Sequence, residues 1–319
     1  MAPGGIAPKG AHGSSGLVQG GWMAGTLSGS SGGSNMGRSG LLTVDVLTAA
    51  YLAATAIIAF ISRTETGLWL AFLHLLGIGL VFGLGRLPRP RGTFGAVLRI
   101  AYPVAVTPLF YMELAMLNQL LFPGYFDPAV QAWEEAVFGV QLSVKASDWI
   151  PYRWFSEILH LGYVSYYLIV PTALIAAWRA AGREGLERAA FTTALAFFLC
   201  YLCFAVFPVA GPRYDFAKIT GPPSDGYVFG IVHSILESGS SKGTAFPSSH
   251  VGATVSAWLS GGAVNPRAFW ILAPFAVSLT LGTVYGRFHY GIDMAAGLAF
   301  ALTAFFAAPP LIRRLGRRP

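Results

Sequence analysis

The feature that most limits what this chain can become is the length of its apolar runs. "LTVDVLTAAYLAATAIIAFI" from Leu42, "LWLAFLHLLGIGLVFGLG" from Leu68 and "FTTALAFFLCYLCFAVF" from Phe191 are three of them, divided by clusters of Pro, Gly and Arg. A bilayer's hydrocarbon core takes about 20 residues of helix to cross. Backbone in that medium must satisfy its own hydrogen bonds, so only helices or a closed barrel can span it. The runs are continuous and do not alternate, which excludes a barrel. The chain is 54% hydrophobic and 11% charged, where soluble domains are about a quarter charged. The expectation is one all-α polytopic membrane protein.

Eight spans are predicted, at 41–62, 67–85, 95–122, 154–178, 189–209, 249–265, 268–286 and 290–309. Residues 1–40 are Gly/Ser-rich, without an apolar stretch able to form a core, and are read as a disordered tail. Short loops rich in Lys and Arg favour the cytoplasm. Arg86, Arg89 and Arg91, then Arg179, Arg183 and Arg188, then Arg267, then Arg313, Arg314, Arg317 and Arg318 all fall on one face of an eight-span chain. Both termini are therefore expected to be cytoplasmic, in a cell membrane of bacterial inner-membrane type. The net charge of +7 largely reflects that collar. No basic face of a folded domain suggests nucleic acid as a partner.

That topology places two polar clusters on the opposite, extracytoplasmic face. "FPSSH" opens the sixth span with Ser248, Ser249 and His250; "RFHYGID" opens the eighth with Arg287, His289 and Asp293. Helix N-termini attract anions, and Arg213, Lys242 and Arg287 in the same loops can bind phosphate oxygens. His289 and Asp293, at i and i+4, are neighbours on one helix face. The carboxylate can hold one ring nitrogen and leave the other as a nucleophile, while His250 handles protons for leaving and entering oxygens.

These residues carry a resemblance. "FPSSH" and "HYGID" resemble the P-S-G-H and H-x3-D elements of the type 2 phosphatidic acid phosphatase superfamily of membrane lipid phosphatases and phosphotransferases. "FDPAVQAWEEAVFG", "SEILHLGYVSYY", "FPVAGPRYDF" and "VYGRFHYGIDMAAG" resemble the branch that includes inositol phosphorylceramide synthases. The resemblance implies a six-helix catalytic core over 94–310, preceded by two transmembrane helices over 41–93 and followed by a basic cytoplasmic tail over 311–319. It implies His289 as a nucleophile forming a phosphohistidine, Asp293 orienting it, His250 as acid and base, and Ser248 with the Ser249 amide holding phosphate oxygens. No metal or other cofactor is expected. The chain departs from the family where Val206, Tyr214 and Thr283 stand for the usual lysine, proline and arginine, and where Ser249 replaces a glycine.

Three functions fit this reading. The first is a metal-independent phosphatase for a membrane lipid phosphate. The second is a headgroup phosphotransferase in which an alcohol, such as inositol or a lipid hydroxyl, replaces water. The third is a non-catalytic lipid-binding or transport protein. Elsewhere, Glu157 and His160 read as a polar brace of the fourth span, His74 as a packing or hydrogen-bonding residue, and Cys200 and Cys203 as core. The aromatics of "YVSYY" read as core or interfacial side chains, and 125–152 as an interfacial helix beside a lateral entrance for lipid.

Overall fold

The computed structural model describes Met1 and residues 40–316. Most of the 1–40 tail therefore lies outside the described residues, within which no strand occurs. The architecture is all-α and polytopic, with six helices among the described residues long and apolar enough to cross a membrane.

Helices α1 (Thr43–Ile61) and α2 (Glu65–Arg86) form a hairpin in which the Thr64 hydroxyl caps α2 by accepting from Gly67 N at 3.0 Å. A buried ion pair fastens it to α3 (Thr93–Ala105): Arg99 donates to both carboxylate oxygens of Asp45 at 2.7 and 2.6 Å, and the Tyr102 hydroxyl adds a third bond at 3.0 Å. A charge in apolar surroundings needs such full pairing. His74, read as a packing or hydrogen-bonding residue, meets Glu113 of α4 (Thr107–Leu117) at 2.6 Å.

The third predicted span, 95–122, is α3 followed almost directly by α4. Pro103 and Pro108 flank the joint at Val106, since neither can donate the helical hydrogen bond. In place of one interfacial helix across 125–152 there are two, α5 (Asp127–Phe138) and α6 (Leu142–Trp149). Gly139 separates them with a left-handed cap at φ 72°, a conformation glycine adopts freely.

Helix α7 (Arg153–Val164) leads into α8 (Tyr166–Val206), whose 41 residues are interrupted by non-helical backbone at Ala181 and Gly182. Leu174 and Ala177 before the break share one core with Leu186, Ala189 and Ala190 after it. The element is thus two packed passes joined by a reversal, corresponding to the predicted fourth and fifth spans. A four-residue α9 (Pro212–Asp215) and the amphipathic α10 (Tyr227–Gly239) follow, then α11 (Ser249–Gly262), α12 (Pro266–Tyr285) and α13 (Gly291–Gly316). Counting α3–α4 and α7 with the first half of α8 as single passes gives eight. α13 runs past Pro309 and through Arg313, where a tail was expected from 311.

The short α11 is the axis of the molecule, buried from Val251 to Ala257. Small residues let its neighbours approach closely, as is usual where lipid supplies no hydrophobic drive between helices. A Cβ at Gly261 would lie 2.8 Å from the Ala173 carbonyl, and one at Gly297 of α13 would lie 2.5 Å from the Ser248 carbonyl. Cys200 packs in the core, also as expected. Outside, Trp69, Phe72, Leu80, Met112, Leu168 and Trp270 are more than half exposed, the surface of a chain solvated by hydrocarbon.

Candidate active site

His250 is the second residue of α11 and His289 lies in the turn between α12 and α13. The turn is shaped by its own backbone. After α12 ends, the amides of Phe288 and His289 both donate to the Thr283 carbonyl, at 3.0 and 2.9 Å, with Arg287 at φ 58°. This sharp reversal aims His289 back across the helix ends. The start of α11 is tied to α13 by Ser248 N donating to the Asp293 carbonyl at 2.9 Å, the approach that the absent side chain of Gly297 allows. The two imidazoles face each other with ring centroids 5.9 Å apart.

Nδ1 of His289 meets the Ala245 carbonyl at 2.9 Å and Asp293 at 3.5 Å. The carbonyl is the shorter contact, where the sequence expected the carboxylate. Asp293 spends its Oδ2 on the Tyr290 amide at 2.8 Å, so it closes the first turn of α13 as well as flanking the ring. A carbonyl only accepts, so it fixes the proton on Nδ1 and leaves the lone pair on Nε2. Burial pushes the His289 pKa down to about 4, a shift the Ala245 carbonyl partly offsets. His250 is held by a residue that sequence reasoning missed: the Tyr163 hydroxyl is 3.3 Å from its Nε2, and the rings of Tyr163 and Tyr166 lie 5.1 and 4.9 Å from the imidazole. Two of the "YVSYY" aromatics therefore flank a candidate functional side chain in addition to packing the core.

Both histidines line a cavity of about 40 Å³ together with Arg213, Tyr163, Ser240 and Thr244. Arg213 Nη1 donates to the Leu236 carbonyl at 3.2 Å and the Ser240 hydroxyl at 3.0 Å, at the C-terminal end of α10. Lys242 stands over the rings of Tyr125 and Tyr214 at 4.5 and 5.3 Å; Tyr214 is itself part of the cavity wall. Ser249 lines a second, larger cavity that also contains His250. Ser248 is fully buried and caps α11, its hydroxyl accepting from Val251 N at 3.4 Å. Arg287 is not in the cavity wall: its guanidinium donates to the carbonyls of Ala217 and Val144 and to the Ser147 hydroxyl, pinning α6 and the 217 loop. Nothing local in "YGRFHYGID" reveals those distant partners.

A scaffold of carboxylates holds the loops in place. Asp127 accepts from the amides of Ala210 and Gly211 at 2.7 and 2.8 Å, just before Arg213, and from the Tyr290 hydroxyl at 3.0 Å. Glu134 accepts from Gly291 N at 2.7 Å, at the start of α13. Glu157 accepts from Val228 N and Phe229 N at 3.0 and 2.9 Å and so caps α10, while His160 bonds within its own helix to the Ser156 carbonyl. The pair reads as the brace the sequence expected, joining α7 to α10.

The family model of the PAP2 superfamily matches residues 129–307, more than half of the chain. A PA-phosphatase related-family protein of Dictyostelium discoideum is 25% identical over 210 residues, covering 59% of this chain and 37% of the relative. The chain thus spans little more than a third of that relative's length. No solved structure matches.

Proposed function

This chain belongs to the PAP2 superfamily, and on that premise we propose that it is a membrane lipid phosphate phosphatase acting through a phosphohistidine at His289. The observation that carries the reading is the pair of imidazoles 5.9 Å apart beside Arg213, one with its Nδ1 proton engaged by a carbonyl. His289 Nε2 attacks the phosphorus of a bound lipid phosphate as the bond to the lipid oxygen breaks. His250, carrying a proton, gives it to that oxygen. Water then attacks the phosphohistidine, His250 takes the water's proton, and inorganic phosphate leaves. Arg213 and the N-terminal end of α11 balance the charge of the transferring group, and Lys242 draws anions to the rim. Arg287 serves in this scheme by shaping the turn before His289.

The site is read as facing away from the cytoplasm, with both termini cytoplasmic, on the strength of the arginine distribution. Water is the acceptor in this reading; an alcohol acceptor uses the same first half-reaction. Purified protein should release phosphate from phosphatidate, polyprenyl phosphate or alkyl phosphate in the presence of chelator. His289→Ala and His250→Gln should each lower that rate about 100-fold or more. Unchanged rates in both variants would refute the catalytic assignment. A phosphodiester formed when alcohols are supplied would move the protein to the transferases, and binding of the whole panel without turnover would favour the non-catalytic role.

A further inference from the structure

The small cavity at the histidines is the first of three that adjoin one another along shared walls. It shares Tyr111, Tyr163, Leu236, Ser240 and His250 with a cavity of about 230 Å³. That cavity in turn shares Thr107, Pro108, Tyr166 and Tyr167 with a groove of about 430 Å³. The polar side chains fall away along this path: Arg213 and the histidines at one end, tyrosines in the middle, then Val97, Ala101, Val104, Val170, Leu174 and Trp178.

The groove lies between α3 and the first half of α8. Ala101 and Ala105 present only small side chains to it, α3 gives way to α4 at Val106, and Pro171 on the facing helix carries no amide donor. Its walls run from Thr107 at the start of α4 back to Val97 on α3, and from Tyr166 to Trp178 on α8. At 1.5 Å per helical residue this is roughly 15–18 Å, about half of the ~30 Å hydrocarbon core, or one leaflet. Leu186 and Trp178 stand at the end away from the histidines, and Ile175 and Tyr167 on its rim are exposed to the lipid side.

We infer that this groove is a binding site for one hydrocarbon chain of the lipid phosphate and that it measures the length of that chain. The inference rests on the phosphatase reading of the histidine site, because adjacency to that site is what selects a phosphorylated lipid over bulk membrane lipid. A chain seated from Tyr166 to Trp178 leads its headgroup past His250 to Arg213. A longer chain has no room beyond Trp178 and must turn out through the open side.

The test uses the full-length protein in detergent with hexyl, dodecyl and octadecyl phosphates. Turnover per unit concentration should rise at least tenfold from hexyl to dodecyl and then level off. Ala101→Trp fills the groove midway; it should leave hexyl phosphate turnover within twofold of the original and cost dodecyl phosphate at least tenfold. Ala101→Leu should give a smaller loss in the same order, which guards against a tryptophan variant that fails to fold. A loss equal at every chain length, or none at any, overturns the inference.

Binding is read independently of turnover by quenching of Trp178 with a chain-brominated dodecyl phosphate, taken as the part of the quench that Trp178→Phe removes. Quenching without turnover of any phosphate leaves the groove standing and removes the phosphatase reading. Turnover without a Trp178 quench removes the groove and leaves the phosphatase. An equal quench by a brominated lipid lacking a phosphate monoester also overturns the inference, because the groove would then be holding ordinary membrane lipid.

Discussion

Replacing Tyr163 with phenylalanine removes one oxygen and keeps the ring that lies 5.1 Å from His250. The lost contact is a single hydroxyl-to-imidazole hydrogen bond of 3.3 Å, at the long end of the usual range. A neutral bond of this kind contributes about 0.5–1.5 kcal/mol net, which is about 2- to 13-fold in rate, and its length argues for the lower part of that range. If Tyr163 only orients His250, the loss belongs in kcat with KM little changed, because the phosphate is gripped elsewhere. His250→Gln removes the proton-handling group itself and should cost about 100- to 10,000-fold. The assay is phosphate release from a lipid phosphate by the two variants, with thermal denaturation run alongside to show that both are folded. A Tyr163→Phe loss as deep as that of His250→Gln would refute the orienting role and place the phenol on the proton path. A loss under twofold would show the bond to be idle.

Arg213→Ala should raise KM for the phosphate about tenfold or more, whereas Arg287→Ala should leave KM near its original value and lower the melting temperature, because its guanidinium is spent on Ala217, Val144 and Ser147; steady-state kinetics with calorimetry separates the two. Asp127→Ala strands the Ala210 and Gly211 amides and the Tyr290 hydroxyl, and at about 1 kcal/mol or more each should cost roughly 3 kcal/mol, a fall of about 10 °C; Asp127→Asn, which keeps one acceptor, should cost less. His289 has a folded pKa of about 4 against an ordinary 6.5, so the unfolded chain takes up the proton first as the pH drops. Its neutral form therefore adds stability that is complete above pH 6.5 and is lost as the pH falls toward 4, up to about 3 kcal/mol at ~1.4 kcal/mol per pH unit. Chemical denaturation across that window should show a slope that His289→Gln abolishes, and the acid limb of kcat/KM for the free enzyme should fall near 4, not near 6.5.

The membrane passes were legible because their cause is local. Each run is long and apolar by itself, and even the reversal inside α8 is announced by Gly182 among arginines at "RAAGREG". The candidate histidines were legible because capping and i, i+4 spacing are local as well. What could not be read depends on neighbours far along the chain. The carbonyl that holds His289 belongs to Ala245, the hydroxyl that meets His250 belongs to Tyr163, and Arg287 donates to the carbonyls of Ala217 and Val144. The sequence around Arg287 does not announce that its two terminal nitrogens meet residues so far along the chain. The division of 125–152 into α5 and α6 was a different kind of miss: Gly139 marks it locally, but charged and aromatic residues alternating on both sides suit one interfacial helix equally well.

The reversal at Ala181 and Gly182 also makes the molecule divisible. It lies where Arg179, Ala180 and Glu184 are open to solvent, and it separates Tyr163 from Arg213, His250 and His289. Two polypeptides made separately, one ending near residue 181 and the other starting near 182, would each carry an incomplete set of the groups that line the histidine cavity. On the phosphatase reading, dephosphorylation recovered on co-expression would report that the halves had found each other in the bilayer, giving a genetic readout of helix assembly that needs no label.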